Sequence, residues 1–236
     1  MSVDSGSPPP AAPAASARVD FDSYFNSARP GLCALLGSWT PQRVLEIGCG
    51  AAANLALLKQ RHPGCHTTGI EVDASAAELA RRSGAADVVK VGDVRDPLAL
   101  DFPRGHFDLL VLSHVLEHFE DPAQVLQRAL GWMSESGRLL VALPNLRHYS
   151  VVHGLIVRGD FRYTRDGILD RTHLRFFTRR SAIRFLEEQG LEIVASAPDI
   201  AGRGSRLLSV FSLHLADEFA AFAYNFCLRR AGACAS

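Results

Sequence analysis

The sequence has 236 residues, of which 47% are hydrophobic, and its 25 basic and 25 acidic residues give a formal net charge of zero. This length and composition fit one globular α/β domain with a sizeable core. Zero net charge leaves no global basic field to attract nucleic acid or an anionic membrane, so no nucleic-acid partner is predicted. No apolar stretch reaches the roughly 18 residues of a membrane span, so none is predicted.

The N-terminus and the cysteines predict a cytoplasmic protein. Residues 1–19 are rich in Pro, Ala and Ser and lack the features of a signal peptide, so they are predicted to be a disordered tail before a domain at 20–236. The five cysteines form no CxxC pair and are odd in number. That pattern favours free thiols over a disulfide framework or a zinc knuckle.

Strand and helix patterns alternate after residues 21–37, which predict one or two short helices. Seven apolar runs are predicted to be strands, at 43–47, 66–71, 87–91, 107–112, 138–143, 191–195 and 223–228. Helices are predicted at 52–61, 74–82, 121–130 and 178–189. The final run also fits an apolar helix, and we favour the strand. This alternation predicts a mostly parallel sheet with helices on both faces.

Three short motifs lie at or just after the ends of predicted strands. Gly48 and Gly50 end the first strand, where glycines allow a tight turn and close approach of a ligand, as in dinucleotide-binding loops. Glu71 ends the second strand, where an acid can accept hydrogen bonds from ribose hydroxyls or simply be solvated. Asp93 follows the third strand, where it can accept the exocyclic amine of adenine or serve as an ordinary turn residue.

Four segments together resemble the class I S-adenosylmethionine (SAM)-dependent methyltransferases over residues 40–145. They are Leu-Glu-Ile-Gly-Cys-Gly at 45–50, Gly-Ile-Glu at 69–71, Gly-Asp-Val at 92–94, and the run at 107–118 that ends in Ser-His-Val-Leu-Glu-His. The stretch at 166–178, which contains Asp-Arg-Thr-His-Leu-Arg-Phe-Phe-Thr, is similar to a bacterial branch common in cell-surface glycan and secondary-metabolite pathways. The resemblance implies a Rossmann-like, seven-stranded sheet with its last strand antiparallel, and SAM as cofactor.

The resemblance also implies twelve cofactor contacts. In chain order they are Tyr24, Arg29, Glu46, Gly48, Cys49, Gly50, Glu71, Val72, Asp93, Val94, Ser113 and His114. Glu71 is expected to hold the ribose hydroxyls, Val72 to pack on adenine, and Asp93 to read the adenine edge. Arg29 is expected to pair with the cofactor carboxylate. Ala52 departs from the family, which usually has glycine at that position, and its extra methyl is expected to crowd the loop.

The segment 147–177 interrupts the alternation of strands and helices and is interpreted as a long functional loop that holds the acceptor. Within it His173 is the first candidate for a general base, with a bond to a backbone carbonyl as the structural alternative. Asp170 is the second candidate, as a base or as the partner that orients His173. His114 and His118 are interpreted as structural on their side-chain chemistry. No spacing typical of a metal cluster is recognised, so no metal site is predicted.

Eight arginines stand against three aspartates between residues 158 and 184, a surplus of five cations. This surplus predicts either an anionic acceptor, such as a nucleotide sugar or glycan precursor, or a solvated basic face. The predicted reaction is methylation of a sugar oxygen on a small molecule. N- or C-methylation, an inactive binding module and an NAD-dependent oxidoreductase stay open as alternatives. The apolar segment 207–228 either covers a partner subunit in a homodimer or completes the core.

Overall fold

A computed structural model describes residues 28–98, 100–200 and 217–232 of the chain. The predicted N-terminal tail and Tyr24 lie outside these residues. The strands are β1 (Arg43–Ile47), β2 (His66–Glu71), β3 (Val88–Val91), β4 (Phe107–Ser113), β5 (Met133–Pro144), β6 (Leu191–Asp199) and β7 (Ala223–Arg230). The helices are α1 (Pro30–Ala34), α2 (Ala53–Arg61), α3 (Ala74–Ser83), α4 (Pro122–Trp132), α5 (Tyr149–Val157), α6 (Arg179–Glu188) and α7 (Asp217–Ala220), with a 3₁₀ turn at Leu116–His118.

The seven strands form one sheet in the order β3-β2-β1-β4-β5-β7-β6. The pairs among β1 to β5 are parallel, whereas β7 runs antiparallel to both of its neighbours. This topology confirms the predicted α/β fold with one antiparallel strand. Because β1, β2 and β4 are parallel, their carboxyl ends meet at one edge, where α/β sheets bind ligands.

The central strands are apolar on both faces because each face has its own core. Leu45 and Leu110 belong to one buried cluster, whereas the adjacent Val44 and Leu109 belong to the other. Successive strand residues point to opposite faces, so a strand buried on both sides reads as a continuous apolar run. This explains why β1 and β4 were recognisable without any alternation of polar residues.

Helix starts follow the polar residues that the sequence places before them. Asp73 accepts hydrogen bonds from the Ser75 and Ala76 amides and begins α3. Asp121 accepts from the Gln124 amide and begins α4, with proline at the first helical position. Side-chain caps of this kind satisfy amides that have no partner within the helix. Both helices therefore begin within a residue of their predicted positions.

The prediction of a structureless loop at 147–177 is wrong for residues 149–157, which form α5. Of this helix only Val151 is buried. Because the helix has no continuous buried face, its sequence has no apolar periodicity, and the sequence analysis predicted no helix there. β5 also begins five residues earlier than predicted, because Met133 pairs with Phe107 across an irregularity in β4.

The C-terminal part of the chain completes the core. Residues Asp217–Ala220 form α7, and Ala223–Arg230 form β7, which confirms the strand that we favoured. The first six residues of β7 are buried between β5 and β6. The earlier part of the apolar segment, residues 207–216, lies outside the described residues. No helix among those described is both long and apolar enough to cross a bilayer.

Candidate functional site

A cavity of about 1050 Å³ opens at the carboxyl ends of β1, β2 and β4. All eleven predicted cofactor residues that the structure describes line it, from Arg29 to His114. His173 and Asp170, the two predicted catalytic residues, line the same cavity from the segment after β5. The fold therefore brings residues from six separate parts of the chain to one space, although the role of each residue stays a prediction.

The loop after β1 needs the left-handed backbone that its glycines allow. Gly48 and Gly50 have φ values of 68° and 52°, and Ala52 follows with φ 66°. This conformation costs a non-glycine residue about 1 kcal/mol or more, which explains the glycine usual at the position of Ala52. The Ala52 side chain is fully buried in the core and does not line the cavity. Its methyl group therefore lies away from the cavity, and the expected crowding of the loop stays a prediction.

Gly48→Ala is expected to lower the free energy of unfolding by about 2–3 kcal/mol, because it combines backbone strain with a collision. A Cβ at this position would lie 2.7 Å from Cγ2 of the stiff Val115 side chain. Urea unfolding of the variant measures the loss. Gly64→Ala is the matched control, since its Cβ would meet nothing within 4 Å. Equal stability of the two variants would contradict the strain at Gly48.

Glu71 joins the loop after β1 to the loop after β2 at the centre of the cavity. Its carboxylate accepts hydrogen bonds from the amides of Gly50 (2.8 Å), Val72 (2.8 Å) and Asp73 (3.0 Å). A carboxylate has about four lone-pair positions, so one stays available to a ligand hydroxyl. The side chain is 5% exposed, which keeps these charge-assisted bonds away from competing water.

Glu46 is a buried acid with an unsatisfied oxygen. Its Oε1 accepts from Asn54 Nδ2 at 2.7 Å, and Asn54 Oδ1 accepts from the Arg29 amide at 2.7 Å. Within the described part of the chain, Glu46 Oε2 has no hydrogen-bond partner. Burial raises the pKa of Glu46 to about 8, aided by nearby Glu71 and opposed by the Asn54 hydrogen bond. An amino group entering the cavity would satisfy this oxygen, as the ammonium of an amino-acid moiety could.

The end of the cavity expected to hold adenine combines an exposed apolar side chain with a paired acid. Val72 is 69% exposed, which suits it to contact a flat ring. Asp93 accepts from the backbone amide of Arg95 (2.8 Å) and from its guanidinium (2.5 and 3.0 Å). These hydrogen bonds lower the pKa of the Asp93 carboxyl. The sequence analysis did not predict the pairing of Arg95 with Asp93, because no strand or helix pattern indicates a side-chain contact between residues two positions apart.

The two predicted catalytic residues do not pair through their side chains. His173 Nδ1 lies 3.0 Å from the Ile168 carbonyl oxygen, which is the structural alternative that we considered for this residue. Asp170 Oδ1 instead accepts from the Thr172 amide at 2.8 Å and from its hydroxyl at 2.7 Å. Asp170 therefore does not orient His173 through a side-chain hydrogen bond, although the His173 amide donates to the Asp170 carbonyl oxygen at 3.1 Å.

The ring of His118 lies beside the ring of His173 in the lining of the cavity. The sequence analysis did not predict this contact. Their ring centroids lie 4.8 Å apart at an interplanar angle of 73°. Burial lowers the pKa of His118. The contact arises because the amides of Leu174 (2.8 Å) and Arg175 (3.0 Å) both donate to the backbone carbonyl of Glu117. Only this tertiary pairing brings position 173 beside positions 117 and 118.

The predicted basic group does not form one surface in the cavity. Of the eight arginines between 158 and 184, all within the described ranges, Arg165 alone lines the cavity. Arg175 donates to the Glu120 carbonyl oxygen at 2.8 Å, and the Arg179 guanidinium lies 5.9 Å from the centre of the Tyr224 ring. These two arginines therefore stabilise the protein, and of the eight only Arg165 still supports an anionic acceptor.

A family profile described as "Methyltransferase domain" matches residues 25–196. Among curated proteins, the chain is 30% identical over 102 residues to a demethylmenaquinone methyltransferase from Thermus thermophilus, covering 43% of this chain and 46% of that one. It is 28% identical over 169 residues to a ubiquinone biosynthesis O-methyltransferase from Bordetella bronchiseptica, covering 66% and 68%. The chain thus spans about half the length of the Thermus relative and more of the Bordetella one.

Two further matches widen the comparison. The chain is 36% identical over 178 residues to a tRNA1(Val) (adenine(37)-N6)-methyltransferase from Porphyromonas gingivalis, covering 59% of this chain and 69% of that one. The crystal structure of a SAM-dependent methyltransferase from Mesorhizobium loti superposes with a TM-score of 0.58 at 15% identity, covering 85% and 96%. The structural match shows the shared fold, and the names of the sequence relatives differ in acceptor.

Proposed function

The chain belongs to the methyltransferase family whose profile it matches, and we propose that it transfers the methyl group of SAM to an oxygen of a small molecule. The family and fold confirm the predicted class I methyltransferase and its cofactor, SAM. SAM supplies a methyl group already activated by a sulfonium. The protein therefore has mainly to bind the cofactor, position the acceptor and exclude water.

The observation that carries the proposal is the single cavity shared by the cofactor residues and the segment after β5. Glu46, with its unsatisfied oxygen, fits the amino group of the cofactor. Glu71 retains a lone-pair position for a ribose hydroxyl, and Val72 offers an apolar contact for adenine. These three residues, which line one cavity, would fix the donor at one end and leave the acceptor to the other.

The acceptor end supports a polar small molecule. His173, Asp170 and Arg165 line it, together with the half-buried His118. Imidazole nitrogens can accept a proton from a hydroxyl, which an oxygen acceptor needs and a sulfur or amine acceptor needs less. Arg165 could bind a carboxylate or phosphate of a nucleotide sugar or glycan precursor. The Bordetella relative, named as an O-methyltransferase, supports oxygen as the methylated atom.

A second candidate is methylation of nitrogen in a nucleic-acid base, which the name of the Porphyromonas relative suggests. The zero net charge of this chain argues against it, because binding to nucleic acid depends on a basic surface. An inactive binding module is a third candidate. Production of S-adenosylhomocysteine from SAM with hydroxylated metabolites, but with neither amines nor RNA, would separate the first candidate from both others.

Calorimetric titration with S-adenosylhomocysteine is expected to show micromolar binding, with none for NAD. Asp93→Ala is expected to weaken that binding at least tenfold, because it removes an acceptor for the adenine amine and releases Arg95 into the cavity. Asp101→Ala, at an exposed position outside the cavity, is the matched control. Binding of NAD in place of S-adenosylhomocysteine would overturn the assignment of the cavity.

A further inference from the structure

Glu117, His118 and His173 form a compact group of potential metal ligands beside the cavity. One ligand atom from each side chain lies within 4.8 Å of the other two. Glu117 is 1% exposed, and neither of its carboxylate oxygens has a hydrogen-bond partner among the described residues. His114 Nδ1 lies 3.3 Å from Oε1 and forms an ion pair with Glu117 only when the imidazole is protonated. A buried acid left in this state costs free energy that a bound cation would recover.

The hydrogen bonds of the two imidazoles leave the same nitrogen available on each ring. His173 Nδ1 faces the Ile168 carbonyl oxygen, which can only accept, so Nδ1 carries the hydrogen and Nε2 the lone pair. His118 Nδ1 lies 3.1 Å from the Thr172 hydroxyl oxygen. That hydroxyl gives its one hydrogen to Asp170, so it accepts from His118 Nδ1 and leaves Nε2 with a lone pair.

This arrangement matches the surroundings of metal-binding histidines. Such histidines commonly donate the hydrogen of their other ring nitrogen to a backbone carbonyl or to a group linked to a carboxylate. Here Ile168 orients His173 in the first way, and the Asp170–Thr172 pair orients His118 in the second. These bonds give the buried Asp170 a role that does not need a side-chain hydrogen bond to His173.

We propose that Glu117, His118 and His173 bind one divalent transition-metal ion at the acceptor end of the cavity. Two imidazoles and one carboxylate form the ligand set of many catalytic zinc sites, which keep a further position open. A tetrahedral ion with bonds of about 2.1 Å holds its ligand atoms about 3.4 Å apart, so the three side chains, whose ligand atoms lie within 4.8 Å of one another, would have to move closer together to complete the site. The nitrogen-rich set favours Zn²⁺ or Co²⁺ over Mg²⁺, which prefers oxygen.

The ion deepens the proposed function, and its role in the reaction rests on that function. An acceptor hydroxyl bound at the open position would have a lowered pKa and would lose its proton to water. Its oxygen would then form a bond to the methyl carbon while the bond from that carbon to sulfur breaks, with the electron pair staying on sulfur. In this arrangement His173 is a metal ligand, and the metal replaces the imidazole as the group that activates the hydroxyl.

The test is titration of the full-length, tag-free, chelator-treated protein with Co²⁺ alone, followed by visible absorption. We expect one ion per chain, displacement by one equivalent of Zn²⁺, and no displacement by Mg²⁺ at the same concentration. Glu117→Gln and His173→Asn are expected to weaken Co²⁺ binding at least tenfold. Asparagine can keep the hydrogen bond to the Ile168 carbonyl while it removes Nε2, so this variant is expected to fold.

His153→Ala, which removes an exposed histidine of α5, is the matched control and is expected to bind Co²⁺ as the wild type does. Binding of S-adenosylhomocysteine by each variant shows that the fold and the cofactor site are intact. If Co²⁺ fails to bind, or binds equally well to Glu117→Gln and His173→Asn, the metal site is wrong while the proposed function can still stand. If Co²⁺ binds but no methyl transfer occurs, the site stands and the proposed function fails.

Discussion

Glu46→Gln is expected to raise the free energy of unfolding of the cofactor-free protein by up to about 4 kcal/mol at pH 8 and to change it little at pH 5. Burial raises the pKa of Glu46 from 4.5 to about 8 in the folded protein. Below pH 4.5 both states carry the proton, so the acid costs nothing. As the pH rises from 4.5 to 8, the unfolded chain loses this proton more readily, and stability falls by up to about 1.4 kcal/mol for each pH unit.

Urea unfolding of wild type and Glu46→Gln at pH 5, 6, 7 and 8 measures the effect. The glutamine amide can still accept from Asn54 and never ionises, so the difference between the two proteins should grow with pH. Glu187→Gln, at an exposed position of α6, is the matched control and should show a constant difference. A constant difference for Glu46→Gln as well would mean that Glu46 is ionised throughout.

The same acid predicts a signature of cofactor binding. The amino group of S-adenosylhomocysteine favours an ionised Glu46, so at pH 7 binding should release a proton from the carboxyl. Calorimetry in buffers of different ionisation enthalpy counts that proton, and Glu46→Gln should release fewer. Equal proton release by both proteins would remove Glu46 from the proposed contact with the amino group.

Glu71→Ala is expected to weaken binding of S-adenosylhomocysteine more than 100-fold and to lower the free energy of unfolding by about 2–4 kcal/mol. The substitution removes the acceptor for three amides, of which that of Gly50 belongs to the glycine loop after β1. Both loops that form the centre of the cavity lose their connection. Calorimetric titration measures the binding, and urea unfolding measures the stability.

The matched control for this prediction is Glu78→Ala on α3. Glu78 is half-exposed, and among residues 28–98, 100–200 and 217–232 its ion pairs are with Arg81 and Arg82 in its own helix, an interaction worth a few tenths of a kcal/mol. It should leave binding unchanged. If Glu71→Ala bound S-adenosylhomocysteine as tightly as the control does, the cofactor would have to be held elsewhere in the cavity.

The cofactor half of the site could be predicted from local patterns. Glu71, Asp93 and Ser113 each come at or just after the end of an apolar strand. Because the carboxyl ends of parallel strands share one edge of the sheet, the place of these residues at strand ends agrees with the contacts that the resemblance implied. Arg95 was missed although it lies close in sequence, because its pairing with Asp93 depends on the turn geometry.

The sequence by itself determined the sheet, its helices and the strand-end residues, because buried strands and capped helices carry their signals within a few neighbouring residues. Only the tertiary structure decided how the segment after β5 folds back. Its position depends on hydrogen bonds from Leu174 and Arg175 to a backbone carbonyl more than 50 residues away, which no side-chain pattern records. The meeting of His173 with Glu117 and His118, and with it the proposed metal site, follows from those backbone bonds.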